Sequence, residues 1–334
     1  MSDDVLGRLI KDYLALNLAV SSFAWQGGEP TLMGLDFYKK VVTLQKEYGK
    51  DGQAVSNALQ TNGILLDEQW CKFLCEYKFL VGISLDGPKK YHNHYRIDID
   101  KAGNGTFNKV MAAMENCRKH KVEFNILVLL NDRNVVAPDD LFDFFTGLKI
   151  KYLQFIPCVE NDPTTGEIAD FSITPEQYGQ FLCRVFDRWY KCGPEKLSIR
   201  IIDSMMNYLV HGRHTNCTFN RNCDDYIVIE HNGDAFCCDF FVDQQYHLGN
   251  LLETPIEELF QSEKKRQFAK QKNKIHNKCL ICRYSDICRG GCLKDRIVTD
   301  NNFVNLSYFC QAYKQFFDYS LPRLSQLAAK FACH

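Results

Sequence analysis

The stretch "FAWQGGEPTLMG", residues 23–34, joins the end of an apolar run to two glycines, an acid and a proline. An apolar run that stops at glycine and proline is typical of a buried β-strand followed by a turn. The turn contains Gln26, Gly27, Gly28 and Glu29. A flexible backbone and one carboxylate therefore lie at the tip of the strand, which indicates a place where a ligand binds.

Other stretches repeat this strand character, and helical patterns such as "PEQYGQFLCRVFDRWYKC", residues 175–192, lie between them. The alternation of β and α patterns predicts an α/β fold with a parallel sheet or barrel and helices outside. Ligands bind at the carboxyl ends of such strands, so the polar tips at residues 26–30, 60–63 and 84–88 should line one site. The predicted strands are residues 21–26, 54–63, 79–87, 122–131 and 151–160.

The composition predicts a globular protein of one or two domains, because the chain has 334 residues and is 46% hydrophobic. Its net charge of -1 gives no electrostatic reason to bind nucleic acid or an anionic membrane. The sequence has no apolar run that could span a bilayer. The start "MSDDVLGRLIKDYL" has the pattern of an amphipathic helix rather than a secretory signal. We therefore expect a cytoplasmic protein.

Sixteen cysteines are difficult to explain as disulfides in a reducing compartment, so metal or redox chemistry is the leading explanation. The stretch "CLICRYSDICRGGC", residues 279–292, has the spacing C-x2-C-x5-C-x3-C, which is typical of a metal centre. A zinc knuckle would use four sulfurs, whereas eight of the C-terminal cysteines, Cys217, Cys223, Cys238, Cys279, Cys282, Cys288, Cys292 and Cys310, match two four-cysteine iron-sulfur clusters. Buried free thiols remain the alternative, and this explanation suits Cys117, Cys183 and Cys192 in predicted helices.

The stretch "YIVIEHNGDAFCCDFF", residues 226–241, predicts a β-hairpin that turns at Asn232 and Gly233. Alternation along a strand then places Cys237 and Cys238 on opposite faces, with Asp239 facing away from Cys238. Because apolar residues flank Asp239, we expect burial to raise its pKa and make it a general base. Capping of a nearby turn is the alternative.

The lysine-rich stretch "EKKRQFAKQKNKIHNK", residues 263–278, precedes the last cysteines. A run of like charges in a helical pattern is usually a solvated helix face. We therefore predict a solvated face rather than a binding patch.

These residues identify a family. The sequence resembles the anaerobic sulfatase-maturating enzymes, which are radical S-adenosylmethionine proteins with a C-terminal SPASM domain, over nearly the whole chain. The resemblance implies a partial (β/α)6 TIM-like barrel over residues 1–211, followed by a SPASM domain with two auxiliary [4Fe-4S] clusters over residues 212–334. The matching motifs are "FAWQGGEPTLMG", "LQTNG", "VGISLDGP", "YHNHYR", "YLQFIPCVE", "NGDAFCCDFFV", "LGN" and the C-terminal cysteine series.

The resemblance also implies a cofactor site. Gly27, Gly28 and Glu29 match residues that bind the amino end of S-adenosyl-L-methionine, since glycine permits close backbone approach and a carboxylate pairs with an ammonium group. Ser84 and Arg96 match residues that hold the carboxylate of the same cofactor, for which a guanidinium is well suited. A surface ion pair is the alternative role for Arg96.

By the same resemblance, Gln26 lies beside the substrate and Asp239 is the catalytic base. The implied reaction oxidises a cysteine or serine of a sulfatase polypeptide to Cα-formylglycine. It begins with a 5′-deoxyadenosyl radical, and ferredoxin or flavodoxin is the implied electron donor. The implied cluster ligands are Cys217, Cys223, Cys238 and Cys292 for one auxiliary cluster, and Cys279, Cys282, Cys288 and Cys310 for the other.

One family element is missing from the printed sequence: the C-x3-C-x2-C motif that holds the cofactor-cleaving cluster upstream of the GGEP segment. No cysteine precedes Cys71, and "CKFLCEYK", residues 71–78, reproduces only the first spacing, with Lys78 in the third place. We therefore expect a barrel without its first β/α unit that does not cleave S-adenosylmethionine. The favoured explanation is a truncated sequence. The alternatives are a degenerate, non-catalytic SPASM peptide-binding or electron-transfer module, another SPASM peptide-modifying enzyme, or a chain that works with a second polypeptide.

Overall fold

The computed structural model describes residues 1–98, 103–298, 300 and 302–331. The strands are β1 Val20–Trp25, β2 Ala54–Thr61, β3 Leu80–Ser84, β4 Phe124–Leu130, β5 Tyr152–Pro157, β6 Ser198–Ile199, β7 Val228–Ile229, β8 Asp234–Phe236 and β9 His247–Asn250. The helices are α1 Asp3–Ala15, α2 Leu35–Tyr48, α3 Glu68–Glu76, α4 Lys89–Tyr95, α5 Phe107–Lys119, α6 Pro138–Gly147, α7 Pro175–Cys192, α8 Arg200–His211, α9 Ile256–Phe260, α10 Glu263–Gln271, α11 Asn277–Leu280, α12 Ser285–Cys288, α13 Leu293–Arg296 and α14 Cys310–Phe331.

Strands β1 to β6 form one sheet in chain order. Strand β1 pairs in parallel with β2, with Val20 opposite Ala54, and β4, β5 and β6 also pair in parallel. Helices lie between successive strands along the chain, as parallel connections require. The predicted α/β fold with a parallel sheet is confirmed, and each of the five predicted strands coincides with an observed one.

Local sequence explains where helix α7 begins and ends. The Thr174 hydroxyl accepts a hydrogen bond from the Gln177 backbone N–H at 3.1 Å, and Gln177 Oε1 accepts one from the Thr174 N–H at 2.9 Å. Pro175 occupies the first turn and Gly193 follows the last residue with a φ of +106°. This reciprocal cap and the terminal glycine are the expected start and stop signals, so the predicted helix is confirmed.

The predicted hairpin is also confirmed. Strands β7 and β8 pair antiparallel, with Val228 opposite Phe236, and β9 adds a third strand. The turn at Gly233 has a φ of +92°, which favours glycine. Strand β8 ends at Phe236, before the two adjacent cysteines.

The chain forms two compact units. The first contains Met1–Gly82, Ala112–Phe124 and Asn222–Gln271, and the second contains Ile83–Met111, Asn125–Arg221 and Lys272–His334. The predicted boundary between residues 211 and 212 therefore stays a prediction. No helix in the described ranges is long and apolar enough to cross a membrane.

Each unit has its own apolar core. In the first unit, Leu6, Ile10 and Leu14 of α1 pack with Phe23 and Val41. A second cluster in the same unit buries residues of the hairpin region and α9 against α1, namely Ala235, Leu251, Ile256 and Leu259 with Leu9 and Tyr13. The end of β1 and the hairpin thus belong to one packed body.

Helix α7, helix α14 and Phe309, which directly precedes α14, supply aromatic residues to the core of the second unit. The rings of Tyr178 and Phe309 lie 5.1 Å apart, and those of Phe186 and Phe316 lie 6.2 Å apart. Both pairs have the edge-to-face geometry that aromatic rings prefer. This packing supports the turn that leads into Cys310, the first residue of α14.

Candidate active site and iron-sulfur ligands

The turn after β1 presents open backbone. Gly27 and Gly28 have φ values of +93° and +42°, in the region where L side chains are strained. A Cβ atom built on either residue would meet no other protein atom within 4 Å. The two glycines therefore form a cradle that side chains would fill, which fits close approach by a ligand such as S-adenosylmethionine.

The Glu29 carboxylate is held in place by two strand tips. Its Oε1 accepts hydrogen bonds from the Thr31 N–H at 3.0 Å, the Thr31 hydroxyl at 2.5 Å and the Thr61 hydroxyl at 2.7 Å. Its Oε2 accepts one from the Asn62 N–H at 2.7 Å. A carboxylate oxygen can accept more than one hydrogen bond, so Oε2 has capacity for an ammonium group. The tips at residues 26–30 and 60–63 do meet, as predicted, whereas residues 84–88 belong to the other unit.

Arg96 forms an ion pair, as the alternative predicted, but with a buried partner. Its Nε donates to Asp86 Oδ2 at 2.5 Å and its Nη2 donates to Asp86 Oδ1 at 3.2 Å. The Asp86 side chain is 3% exposed, and its Oδ1 also accepts from the Leu129 N–H at 2.9 Å. Asp86 therefore fixes the orientation of the guanidinium, whose five N–H donors exceed the two that Asp86 engages. Ser84 is the last residue of β3, as predicted.

A buried histidine of α4, His92, holds the segment between Asp86 and Arg96 in place by hydrogen bonds. His92 Nδ1 accepts a hydrogen bond from the Asp86 N–H at 3.3 Å, so Nε2 carries the proton and lies 3.0 Å from the Thr106 hydroxyl. That hydroxyl donates to the Arg96 carbonyl oxygen at 3.1 Å. Burial lowers the pKa of His92 to about 4, which keeps the imidazole neutral near pH 7.

The structure brings Gln26 and Asp239 together, although 213 positions separate them in the sequence. Gln26 Nε2 donates to Asp239 Oδ2 at 3.3 Å. Asp239 Oδ1 accepts from the Tyr226 hydroxyl at 2.6 Å and from Cys238 Sγ at 3.2 Å. Each carboxylate oxygen therefore has a distinct set of donors.

Two expectations about Asp239 are wrong. Strand β8 ends at Phe236, so strand alternation does not extend to Cys238 and Asp239, whose side chains contact each other instead of facing apart. The Asp239 side chain is also exposed rather than buried among its apolar neighbours. Cys237 is the buried residue of this segment.

Tyr226 is a site residue that the sequence reasoning missed. Burial raises the pKa of its phenol, as do the nearby Cys238 and Asp239, so the hydroxyl stays a donor near pH 7. Tyr226 lies two residues before β7, and β8 ends before Cys238, so no strand pattern in the sequence marks this tyrosine.

The lysine-rich stretch is not uniformly solvated, so that prediction is wrong at two positions. Lys265 is 2% exposed and donates to the carbonyl oxygens of Cys223 at 2.8 Å, Tyr226 at 2.6 Å and Cys237 at 2.9 Å. Lys272 is 1% exposed and donates to the Thr218 carbonyl oxygen at 2.8 Å and to that of Gly291.

The burial of Lys265 follows from helical spacing. Lys265, Phe268 and Ala269 lie at positions i, i+3 and i+4 of α10 and share its buried face. Three carbonyl oxygens match the three N–H donors of an ammonium group, which compensates for its burial. Lys265 therefore holds the segments that carry Cys223 and Cys238, two of the cysteines predicted to bind the first cluster.

The four cysteines predicted for the second cluster, Cys279, Cys282, Cys288 and Cys310, line one cavity. Burial raises the pKa of the Cys288 thiol to about 12, so a bound metal would have to favour the thiolate there. Four thiols around a hollow are the donor set that a [4Fe-4S] cluster requires. Of the other four, Cys223 and Cys238 belong to the first unit, and Cys217 and Cys292 to the second.

The segment "CKFLCEYK", residues 71–78, lies in and just after helix α3. Cys71 and Cys75 belong to α3, and the Cys71 thiol is buried with its Sγ 3.8 Å from Cys117 Sγ. Lys78 lies beyond the helix, so this segment has the character of packed core rather than of a cluster-binding loop.

Comparisons with known proteins agree with this architecture. The family model for the Radical SAM superfamily matches residues 1–145, and the model for the SPASM iron-sulfur cluster-binding domain matches residues 217–283. The cysteine-type anaerobic sulfatase-maturating enzyme of Clostridium perfringens is 39% identical over 332 residues, covering 98% of this chain and 89% of that protein. The serine-type enzyme of Bacteroides thetaiotaomicron is 36% identical, covering 96% of this chain and 81% of that protein.

A solved structure of native anSMEcpe with bound AdoMet and the Cp18Cys peptide superposes with a TM-score of 0.93 at 38% identity. The superposition covers 99% of this chain and 92% of that one. The parallel sheet and the order of the two matched domains agree with this likeness. The chain belongs to the family of anaerobic sulfatase-maturating enzymes, radical SAM proteins with a SPASM domain, [4Fe-4S] clusters and S-adenosylmethionine as cofactor.

Proposed function

We propose that Asp239 is the base that removes the thiol or hydroxyl proton when a cysteine or serine of a sulfatase polypeptide is oxidised to Cα-formylglycine. The observation that carries this proposal is the convergence of Gln26 and Tyr226 on an exposed Asp239. A general base must be within hydrogen-bond reach of the proton that it removes, and an exposed carboxylate can meet an entering peptide.

The cofactor's carboxylate and amino group need separate partners. We assign Gly27, Gly28 and Glu29 to the amino group, because the glycine backbone is open and Glu29 Oε2 can accept another donor. We assign Ser84 and Arg96 to the carboxylate. When bound, S-adenosylmethionine supplies a 5′-deoxyadenosyl radical that removes one hydrogen atom from the substrate Cβ.

Within Asp239, Oδ2 is the better proton acceptor. Oδ1 already accepts a 2.6 Å hydrogen bond from the Tyr226 hydroxyl, whereas Oδ2 faces only the Gln26 amide at 3.3 Å. Gln26 is also the residue directly before Gly27. The proposed base and the proposed cofactor turn are therefore linked through one side chain, which suits two bond cleavages at the same substrate residue.

The proposed oxidation balances in hydrogen atoms, protons and electrons. Loss of a Cβ hydrogen atom and of the thiol or hydroxyl proton leaves one electron and forms a C=S or C=O double bond. Two auxiliary clusters, when bound, would accept this electron. We propose that Cys217, Cys223, Cys238 and Cys292 would hold one of them, and that Cys279, Cys282, Cys288 and Cys310 would hold the other. For a cysteine substrate, water then replaces the thioaldehyde sulfur, releasing hydrogen sulfide.

The proposed partners follow from this chemistry. The substrate is a sulfatase polypeptide, and a ferredoxin or flavodoxin is the proposed electron donor. Relatives of the cysteine and serine types both match this chain over more than nine-tenths of its length, so both target residues belong in the assay. We propose a cytoplasmic location because the chain has sixteen cysteines, which suits a reducing compartment.

The test uses the enzyme, reconstituted anaerobically and given sulfatase peptides with cysteine or serine at the target position. We expect Asp239→Asn to retain cleavage of S-adenosylmethionine but to lose about a hundredfold or more of formylglycine formation, measured by mass spectrometry. The matched control is Asp243→Asn, an exposed acid on the same segment, which should behave like the wild type. Undiminished product formation by Asp239→Asn would contradict the assignment.

A further inference from the structure

We infer that the Ser307 hydroxyl donates a hydrogen bond to the iron-sulfur cluster proposed for the cavity of Cys279, Cys282, Cys288 and Cys310. The inference rests on the proposed cluster and adds a positioning and tuning residue to it. It concerns a polar side chain that none of the sequence motifs singled out.

The first observation is an orphaned donor. Ser307 is 4% exposed, and its Oγ has no hydrogen-bond partner among the described residues. Buried hydroxyl groups nearly always have a partner, because an unpaired one loses the hydrogen bonds that water would supply. The missing acceptor should therefore belong to something other than these residues.

The second observation is where this residue lies. Ser307 lines the same cavity as the four thiols. Its carbonyl oxygen accepts a hydrogen bond from the Cys310 N–H at 2.9 Å, so Ser307 is the first residue of the turn that positions Cys310. The orphaned donor and a proposed ligand are thus parts of one short turn.

The backbone of a neighbouring glycine leaves room for the Ser307 side chain. A Cβ atom built on Gly291 would lie 2.9 Å from Ser307 Oγ and 3.0 Å from Ser307 Cβ. Gly291 also has a φ of +70°, which favours glycine. Gly291 of the "CRGGC" segment therefore leaves the room that the Ser307 side chain occupies.

A second serine shows what the same side chain does without a ligand. Ser320 is fully buried in α14, and its hydroxyl donates to the Phe316 carbonyl oxygen at 2.6 Å. Ser307 lies before that helix begins and makes no such bond. The sulfide and thiolate atoms of a cluster in the cavity are the acceptors that would satisfy it.

The bond would have a direct electrochemical effect. A reduced cluster carries one more negative charge than an oxidised one, so a hydrogen-bond donor at its sulfur stabilises the reduced form. Ser307 should therefore raise the reduction potential of this cluster. Removing the hydroxyl should lower the potential of this cluster alone.

The experiment is a redox titration of the reconstituted chain, followed by electron paramagnetic resonance, for wild type, Ser307→Ala and the control Ser320→Ala. The cluster concerned is identified as the one whose signal disappears in Cys310→Ala. We expect its potential to shift to a more negative value in Ser307→Ala, with iron content, the other cluster and the Ser320→Ala variant unchanged. An unchanged potential in Ser307→Ala with full iron content would overturn the inference.

A matched pair covers the case in which Ser307→Ala fails to assemble the cluster. Ser307→Thr and Ser307→Val have the same shape and differ in the hydroxyl. We expect the potential of the threonine variant to be higher than that of the valine variant, and equal potentials would overturn the inference. Failure of the wild-type chain to hold iron would contradict the proposed cluster itself, which separates that failure from a failure of the Ser307 bond.

Discussion

The Tyr226 hydroxyl donates a 2.6 Å hydrogen bond to Asp239 Oδ1, across the two arms of the hairpin. Lys265 ties down the same region, because its ammonium group donates to the Tyr226 carbonyl oxygen and to that of Cys237, two residues before Asp239. The proposed base is therefore exposed to an entering peptide, while hydrogen bonds from Tyr226 and Lys265 hold its side chain and the nearby backbone in place. This combination gives distinct predictions for each supporting residue.

Tyr226→Phe should weaken proton transfer without preventing cofactor cleavage. The phenol orients Asp239 and stabilises its charge, and loss of one charge-assisted hydrogen bond corresponds to about a tenfold decrease in product formation. The measurement is the ratio of formylglycine formed to S-adenosylmethionine cleaved. The control is Tyr319→Phe, which removes another 2.6 Å tyrosine–aspartate bond, to Asp187. An equal ratio in wild type and Tyr226→Phe would show that the tyrosine does not assist the base.

Lys265→Met should destabilise the first unit and its cluster ligands. The methionine fills similar space but leaves three carbonyl oxygens without their donor, which should cost about 3 kcal/mol or more in the free energy of unfolding. The measurement is thermal unfolding together with iron content. Lys270→Met, an exposed lysine in the same helix, should stay within about 0.5 kcal/mol of the wild type. Similar unfolding of both variants would mean that the buried ammonium contributes nothing specific.

Asp86→Asn should weaken cofactor binding through Arg96. The amide keeps the shape of the side chain but removes the charge that orients the guanidinium, so we expect about tenfold weaker binding of S-adenosylmethionine. Equilibrium titration of the anaerobic enzyme with the cofactor measures this. Asp140→Asn removes an exposed partner of Lys90 and is the matched control. If Asp86→Asn binds S-adenosylmethionine with wild-type affinity, the ion pair does not contribute to cofactor binding.

His92 should make stability depend on pH. Its pKa is about 4 in the folded chain, whereas the pKa of an unburied imidazole is 6.5, so between these values the unfolded chain binds the additional proton. The contribution of His92 to the free energy of unfolding is therefore fully present above about pH 6.5. It decreases as the pH falls towards 4, by about 3 kcal/mol in total.

The corresponding measurement is the apparent Tm at about pH 7.5 and about pH 5.5. The decrease in Tm on acidification should be smaller for His92→Gln than for wild type. His231→Gln, at an exposed position, should keep the wild-type decrease. Identical decreases for wild type and His92→Gln would rule out this histidine as the source.

The sequence predicted the strands, the hairpin and the helix over residues 175–192 because their signals are local: apolar runs, an Asn-Gly turn, and apolar residues at helical spacing. It failed where tertiary packing decides. Whether Asp239 is buried depends on where β8 ends, and the burial of Lys265 depends on which face of α10 packs inward. The carbonyl oxygens that satisfy Lys265 are backbone groups, which carry no residue-specific signal in a sequence. No pattern in the sequence marks Ser307. Its assignment depends on two features of the folded chain: it lines the cavity of the four thiols, and its hydroxyl has no hydrogen-bond partner among the described residues.

The most direct test of the central claim, that the C-terminal cysteines hold two auxiliary clusters, is anaerobic iron and sulfide quantitation on the reconstituted 334-residue chain. The prediction is roughly eight iron and eight sulfide per chain, decreasing to roughly four of each in Cys310→Ala. An assay for 5′-deoxyadenosine under a strong reductant accompanies it. Roughly twelve iron with cofactor cleavage would mean that unidentified ligands hold a third cluster. Fewer than about four iron, or zinc in their place, would contradict the account.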